Sequence, residues 1–217
     1  MGEQLLQDHL TPCSPAELYA SLRAAWVQTC QDSDPSRASL LTLLAHWGLE
    51  TGFGHYMHCW NLGNKKHVPG DGHDYCQFAC GEELPAASVQ AGPLVQIVST
   101  YVRNGVAFDS VKFIPPHPAT SFVACSGLAA GTLDYFVGMR GRFRAAWPFV
   151  VAGDVAGFCH ALRQQGYYTA DEGVYTASVL RCYHQLDGMI PPDAVTASTD
   201  PAPPDVTSGQ PDEPHVA

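Results

Sequence analysis

The chain has 217 residues, a formal net charge of −10, and 46% hydrophobic against 15% charged residues. That length and composition suit one folded domain with its own core, and the negative charge argues against nucleic acid as a partner. No apolar run approaches the roughly 20 residues of a membrane-spanning helix, and Met1-Gly2-Glu3-Gln4 lacks the basic and apolar segments of a signal peptide.

A first helix is announced by Ser14-Pro15-Ala16-Glu17: serine caps, proline takes the first helical position and glutamate closes a capping box. Leu18, Leu22, Ala25 and Trp26 supply its apolar stripe. A second helix is predicted from Asp34-Pro35. It carries Leu40, Leu41, Leu43, Leu44 and Trp47 and ends near Glu50, because Gly52 and Gly54 follow. Residues 55–84 are rich in His, Gly, Asn and Cys without a clear period, which reads as an ordered, irregular lobe. Residues 86–103 read as a helix whose start Pro93 delays. Val106–Ile114 and Ser121–Cys125, separated by Pro115-Pro116-His117-Pro118, read as two short strands.

Three helical stretches follow, at 127–147, 154–165 and 172–186, with Gly166 and Gly188 placed as stops for the last two. From Pro191 onward there are five carboxylates (Asp193, Asp200, Asp205, Asp212, Glu213) and no Lys or Arg, the composition of a disordered acidic tail. The body keeps 16 acids against 11 bases, about −5. The expected organisation is a domain over 1–190 and a tail over 191–217. Its class is mainly α (α+β): five or six helices, a small β element and the irregular lobe.

The eight cysteines do not mark a small disulfide-stapled fold. Cys30, Cys159 and Cys182 fall in helical patterns and read as buried thiols. The lobe differs: His55, His58, Cys59, His67, His73, Cys76 and Cys80 fall within 26 residues. Structural zinc, a disulfide of Cys59 with Cys76 or Cys80, and free thiols all remain open there. No second cysteine pair follows Cys76-x3-Cys80 at finger spacing, and His-Glu-x-x-His is absent. No metal or cofactor is expected in catalysis.

The most informative stretch is His46-Trp47-Gly48-Leu49-Glu50-Thr51-Gly52-Phe53-Gly54. It places the Glu50 carboxyl in the last turn of a helix, at the negative end of the dipole, between Trp47 and Phe53. Dipole and desolvation both disfavour the charged form and raise the pKa. A glutamic acid that keeps its proton near neutrality can protonate a glycosidic oxygen.

A helix ending in Glu-Thr-Gly-Phe-Gly, followed about ten residues later by Asn61-Leu62-Gly63-Asn64, resembles the lysozyme-superfamily wall hydrolases. The pattern is most similar to the N-acetylglucosaminidases of glycoside hydrolase family seventy-three. Downstream, Gly166-Tyr167-Tyr168-Thr169-Ala170-Asp171 leading to Tyr175 resembles that family's Gly-Tyr-Ala-Thr-Asp-x-x-Tyr. Phe122-Val123-Ala124-Cys125 and Asp134-Tyr135 resemble its Phe-Arg-Ala-Tyr strand and Asp-Tyr helix, with valine where the family has arginine. The resemblance covers roughly residues 38–186. It implies a lysozyme-like fold, peptidoglycan glycan strands as partner, and Glu50 as catalytic acid. Tyr167 matches the tyrosine facing the acid, and Asn61 the asparagine of the cleft floor. Phe53, Trp60 and Tyr168 are the further substrate-binding candidates.

Asp74, Glu82, Glu83 and Asp109 are the candidates for a second carboxylate, with Asp71 beside them. If none reaches the acid, the substrate's own N-acetyl group or 6-hydroxyl attacks, and the latter defines a lytic transglycosylase. A muramidase acting on the same type of bond is a further alternative. A glycan-binding module that lost the chemistry and a zinc-stabilised interaction domain are the rivals from other classes. The expected protein is a monomer that reaches the wall by phage-type lysis, secretion-system delivery or non-classical export.

Overall fold

The computed structural model describes residues 3–30 and 34–191. Helix α1 (Pro15–Thr29) begins where the sequence signals it: Glu17 N–H donates to Ser14 Oγ at 3.2 Å, and Ser14 N–H donates back to Glu17 Oε2 at 2.8 Å. Helix α2 (Arg37–Thr51) begins later than the expected Asp34-Pro35 start. Its cap is Ser36, whose backbone is extended and whose hydroxyl accepts from Ser39 N–H at 3.0 Å. The helix ends as expected, at Gly52 in the left-handed conformation (φ 57°).

The predicted helix over 86–103 does not form. Ala86–Ser88 is a single 3-10 turn, and Val95–Arg103 is strand β3, after β1 (Tyr75–Gln77) and β2 (Cys80–Pro85). Val95, Ile97, Val98, Thr100, Tyr101 and Val102 are β-branched or aromatic, and such side chains favour the pleated backbone. Asn104 and Gly105 decide the matter: both have positive φ (52° and 79°), the two-residue turn that joins strands of right-handed twist. They connect β3 directly to β4 (Val106–Phe113), with Arg103 opposite Val106.

The three-stranded antiparallel sheet has the order β2-β4-β3. The second predicted strand, β5 (Ser121–Val123), pairs with β1 and not with its sequence neighbour β4. The lobe over 55–84 therefore contains two strands, each paired with a later segment. The helix expected over 127–147 ends early as α3 (Leu128–Arg140); residues 141–146 are turn, and α4 (Trp147–Ala152) starts only at the end of that stretch, with Pro148 in its first turn. Helices α5 (Val155–Gln164) and α6 (Glu172–Met189) follow. Gly166 (φ 72°) turns the chain after α5, whereas Gly188 lies inside α6 and does not stop it. The expected tail falls outside the described residues beyond Pro191.

The result is the expected α+β class, a helical body with small antiparallel sheets. Helix α2 is the axis of the body. Every residue from Ser39 to Gly48 is buried, as befits a helix that is apolar all round, and α6, α1 and α4 pack around it. A smaller core of Cys59, Cys76, Phe122 and Ala124 joins the lobe to β5. No described helix is long and apolar enough to cross a membrane.

Helix α3 approaches the loop after α2 so closely that a side chain has no room: a Cβ on Gly131 would drive into the Trp60 carbonyl oxygen. Gly138, two turns on in the same helix, has nothing around it. Gly131→Ala should therefore cost about 1–3 kcal/mol of stability through overpacking. Gly138→Ala should be neutral or stabilise by up to about 1 kcal/mol through helix propensity. Denaturant unfolding of the two variants checks the contrast, and equal effects would contradict the packing described.

Candidate active site at the end of helix α2

Glu50 lies in the last turn of α2, and its side chain retains 19% exposure, so it is largely desolvated but still reachable. Its neighbours come from α6, from α2 itself and from the loop after α2. From the first turn of α6, the Tyr175 hydroxyl donates to Glu50 Oε1 at 2.7 Å. One turn back on α2, fully buried His46 holds Nε2 at 3.7 Å from the same oxygen. From the loop after α2, Asn64 donates its side-chain amide to the Glu50 carbonyl at 2.5 Å, which satisfies a helix-terminal acceptor. Thr51 completes the end: its hydroxyl donates to the Trp47 carbonyl at 2.7 Å and accepts from Gly54 N–H at 3.0 Å.

Burial pushes the Glu50 carboxyl up to about 7, against an ordinary 4.5, and the Tyr175 hydrogen bond draws it partly back. Burial alone pushes His46 down to about 3, so its ring is neutral. Its Nδ1 is 2.7 Å from the Tyr135 hydroxyl, and its Nε2 has no hydrogen-bond partner. Burial also holds Tyr135 and Tyr167 well above the usual phenol range, with Glu50 adding to the effect. For Tyr175 burial again leads, followed by Glu50. The acid is thus lined by neutral groups, none of which supplies a charge to hold it ionised.

The sequence-predicted residues fall around this centre in different ways. Tyr167 does not hydrogen-bond the acid. Its hydroxyl donates to the Gly63 carbonyl at 3.0 Å, and its ring packs edge-on to His46 with centroids 4.8 Å apart. The tyrosine on the acid is Tyr175, the last residue of the same motif. Tyr168 supports it, stacked on the Tyr175 ring at 3.7 Å and donating its own hydroxyl to the Cys159 carbonyl at 3.1 Å.

Asn61 is buried, and both hydrogens of its amide go to backbone carbonyls, Lys65 at 2.9 Å and Val123 at 3.0 Å, while its oxygen accepts from Lys65 N–H at 2.8 Å. These bonds make Asn61 the fastening of the loop. The other residues of Asn61-Leu62-Gly63-Asn64 serve the same end. Leu62 is core, Gly63 lets Tyr135 and Tyr167 approach, and Asn64 reaches Glu50. Phe53 and Trp60 are half-buried against the main core. The aromatic that stands open is Tyr56, 71% exposed, its ring lying over Gly52.

The candidate second carboxylates are engaged elsewhere. Asp74 accepts from Gln4 N–H at 2.9 Å. Glu82 faces Lys66 at 3.4 Å and Glu83 faces Arg103 at 3.4 Å. Asp109 is buried and accepts from the Thr100 hydroxyl at 2.6 Å. Asp71 accepts from Val68 and His73 N–H groups in its own turn. None of these carboxylates is among the groups that shift Glu50.

Sequence reading missed His46, Tyr135, Asn64 and Tyr175 as parts of the site. His46 stands four residues before Glu50, on one helix face, and that spacing was the available signal. The others are brought in by packing. The eight cysteines of the chain are free thiols, the lobe's three included, so Cys59 is joined to neither Cys76 nor Cys80.

No protein-family model and no curated protein matches the chain. A solved structure that overlaps it is the catalytic domain of the autolysin Auto from Listeria monocytogenes. The TM-score is 0.41 with 11% sequence identity, over 82% of this chain and 86% of that one.

The raised acid has a stability consequence. At low pH Glu50 is protonated in both folded and unfolded chains and costs nothing. As pH rises from the unfolded value near 4.5 to the folded value of about 7, the folded state loses roughly 3 kcal/mol relative to an uncharged residue. Glu50→Gln should therefore be more stable than the parent by up to about 3 kcal/mol near pH 8 and equal to it near pH 4. Urea unfolding at the two pH values measures the difference, and a gap independent of pH would mean that Glu50 is not a raised acid.

Proposed function

We propose that the chain is a peptidoglycan hydrolase of N-acetylglucosaminidase type that cleaves the β-1,4 glycan backbone with Glu50 as general acid. The observation that carries this reading is a single reachable carboxyl, at the end of a buried helix, that keeps its proton near neutrality. The ordered motifs around Glu50, Asn61 and Tyr167–Tyr175, which resemble the family seventy-three enzymes, supply the substrate class.

The chemistry follows from the hydrogen bonds. Tyr175 occupies Oε1, which leaves Oε2 to carry the proton toward a glycosidic oxygen. As that proton moves to the leaving oxygen, the C–O bond breaks and positive charge develops on the sugar ring. The carboxylate that forms inherits a hydrogen bond from Tyr175, and a bond to a charged acceptor is stronger than one to a neutral acid. Water then adds its hydroxyl to the anomeric carbon, and its proton restores Glu50. Tyr56, exposed beside the end of α2, presents an aromatic face of the kind that sugar rings stack on.

One observation favours a second reading of the same site. A hydrolase with its own base or nucleophile needs a second carboxyl near the acid, and the five candidates are engaged with other partners. Attack by the substrate's own 6-hydroxyl, with Glu50 as acid and then base, needs none. That reaction is lytic transglycosylation.

Glu50→Gln should abolish turbidity loss from purified sacculi while leaving the fold intact, and undiminished clearing would sink the assignment. Mass spectrometry of the digested sacculi separates the outcomes by the end formed: a reducing N-acetylglucosamine, a reducing N-acetylmuramic acid, an anhydro-sugar, or retention without product. Because the protonated acid is the active form, kcat/KM should fall as pH rises through about 7. Tyr175→Phe removes the bond that favours the carboxylate, so it should lower kcat and move this limb up by about one pH unit. A limb that stays in place would remove Tyr175 from the acid's control.

A further inference from the structure

Three separate segments bring metal-type ligands together beside the small core of the lobe. Asp8 lies on the N-terminal strap, Cys59 in the loop after α2 and Cys76 in β1. One ligand atom from each lies within 4.8 Å of the other two. Both cysteines are buried, at 1% and 0% exposure. His9, next to Asp8, lies at the edge of this group, with Nδ1 3.6 Å from Cys59 Sγ and 3.2 Å from the Gln7 carbonyl. His58 Nδ1 stands 2.7 Å from Asp8 Oδ1, and its ring is stacked on Phe78 at 3.8 Å.

Two buried thiols stand beside a carboxylate that His58 holds from the other side. The lobe lysines are engaged elsewhere: Lys66 points at Cys80 and the Ala119 carbonyl, and Lys65 at Asp134. A divalent cation gives the two sulfurs and the carboxylate one shared partner. Two sulfurs and one carboxylate oxygen, completed by the His9 imidazole when it turns from the Gln7 carbonyl, are a donor set that tetrahedral zinc accepts. His58 then has the part of an outer partner that orients a ligating carboxylate. A Cys59–Cys76 disulfide would account for the sulfurs alone and not for the carboxylate set beside them.

We propose that Asp8, His9, Cys59 and Cys76 bind one zinc ion, which clamps the N-terminal strap and β1 to the loop that follows α2. On binding, Cys59 and Cys76 each form a bond from sulfur to the metal and release one proton to solvent. The metal changes no oxidation state. The clamp reinforces contacts already present across the same segments: Cys59 N–H donates to the His9 carbonyl at 3.0 Å, Leu6 N–H to the Tyr75 carbonyl at 2.8 Å and Thr11 N–H to the Met57 carbonyl at 2.8 Å. The loop so braced runs on to Asn61 and Asn64. The ion is structural and lies outside the chemistry of Glu50.

The full chain, purified with zinc in the buffer and then desalted, should carry one equivalent of zinc by elemental analysis and lose thermal stability when a chelator removes it. Cys59→Ser and Cys76→Ser should reduce the metal to background, and Cys80→Ser should retain it. Loss of metal from a cysteine variant can also reflect failed folding, so two further measurements keep the test decisive. The parent chain loaded with cobalt(II) should show an intense thiolate-to-metal charge-transfer band. Asp8→Asn and His9→Ala, which keep both thiols, should each weaken zinc retention against a chromophoric chelator by roughly ten-fold. A parent chain with no zinc and no cobalt band overturns the proposal. So does thiol titration of the oxidised, denatured parent that finds six of the eight cysteines free, because Cys59 and Cys76 would then be joined to each other.

Discussion

The burial of helix α2 on every side is the constraint on which the rest of the structure depends. A helix sheathed by α1, α4 and α6 has one end that can meet both protein and solvent, and Glu50 stands at that end. The apolar side chains of α2 hold the helix in place. The same packing strips water from the carboxyl and raises its pKa. Packing and proton affinity are therefore one effect seen at two levels. A more exposed helix would have been easier to cap and would have carried an ordinary acid.

The surroundings of Glu50 are organised by hydroxyls and amides and not by charges. Tyr175, Tyr135 and Tyr167 converge on it from two helices and a turn, and His46 fills the space between them as a neutral ring. The loop of Asn61 and Asn64 is fastened by its own side chains: one amide grips the backbone at Lys65 and Val123, the other the end of α2. Residues that a family resemblance associates with substrate thus have a prior duty here, to keep the loop and the helix end in register. A site in which each member is held by its neighbours is pre-organised for reaction and expensive to rearrange.

The lobe shows a second use of polar residues. His67 stacks on Tyr75 and faces Glu3; His73 bridges Asp71 and Asp134; His58 stacks on Phe78 and meets Asp8. These rings fill packing positions with their faces and ion-pair positions with their edges. That is how a segment with few aliphatic residues still forms an ordered surface against the small core of Cys59, Cys76, Phe122 and Ala124.

Much of the helical body was legible in the sequence because its signals are local. Ser14-Pro15-Ala16-Glu17 is a capping box whatever surrounds it, Gly52 closes α2 by its left-handed backbone, and Leu40 to Trp47 leave no polar face to turn outward. The raised acid was legible for the same reason, since helix end, Trp47 and Phe53 are neighbours along the chain. Strand β3 was misread as helix because Pro93 and a mixed pattern hid its period, although Asn104-Gly105 held the answer locally. Other features had no local trace. That β1 pairs with β5, that Tyr175 and not Tyr167 donates to Glu50, that Asn61 turns inward, and that Asp8 meets Cys59 and Cys76 all depend on contacts between segments far apart in the chain. The sequence by itself determined which end of which helix carries the acid. Only the tertiary structure decided what touches it, because the hydrogen-bond partner of a buried group is chosen by how the helices pack.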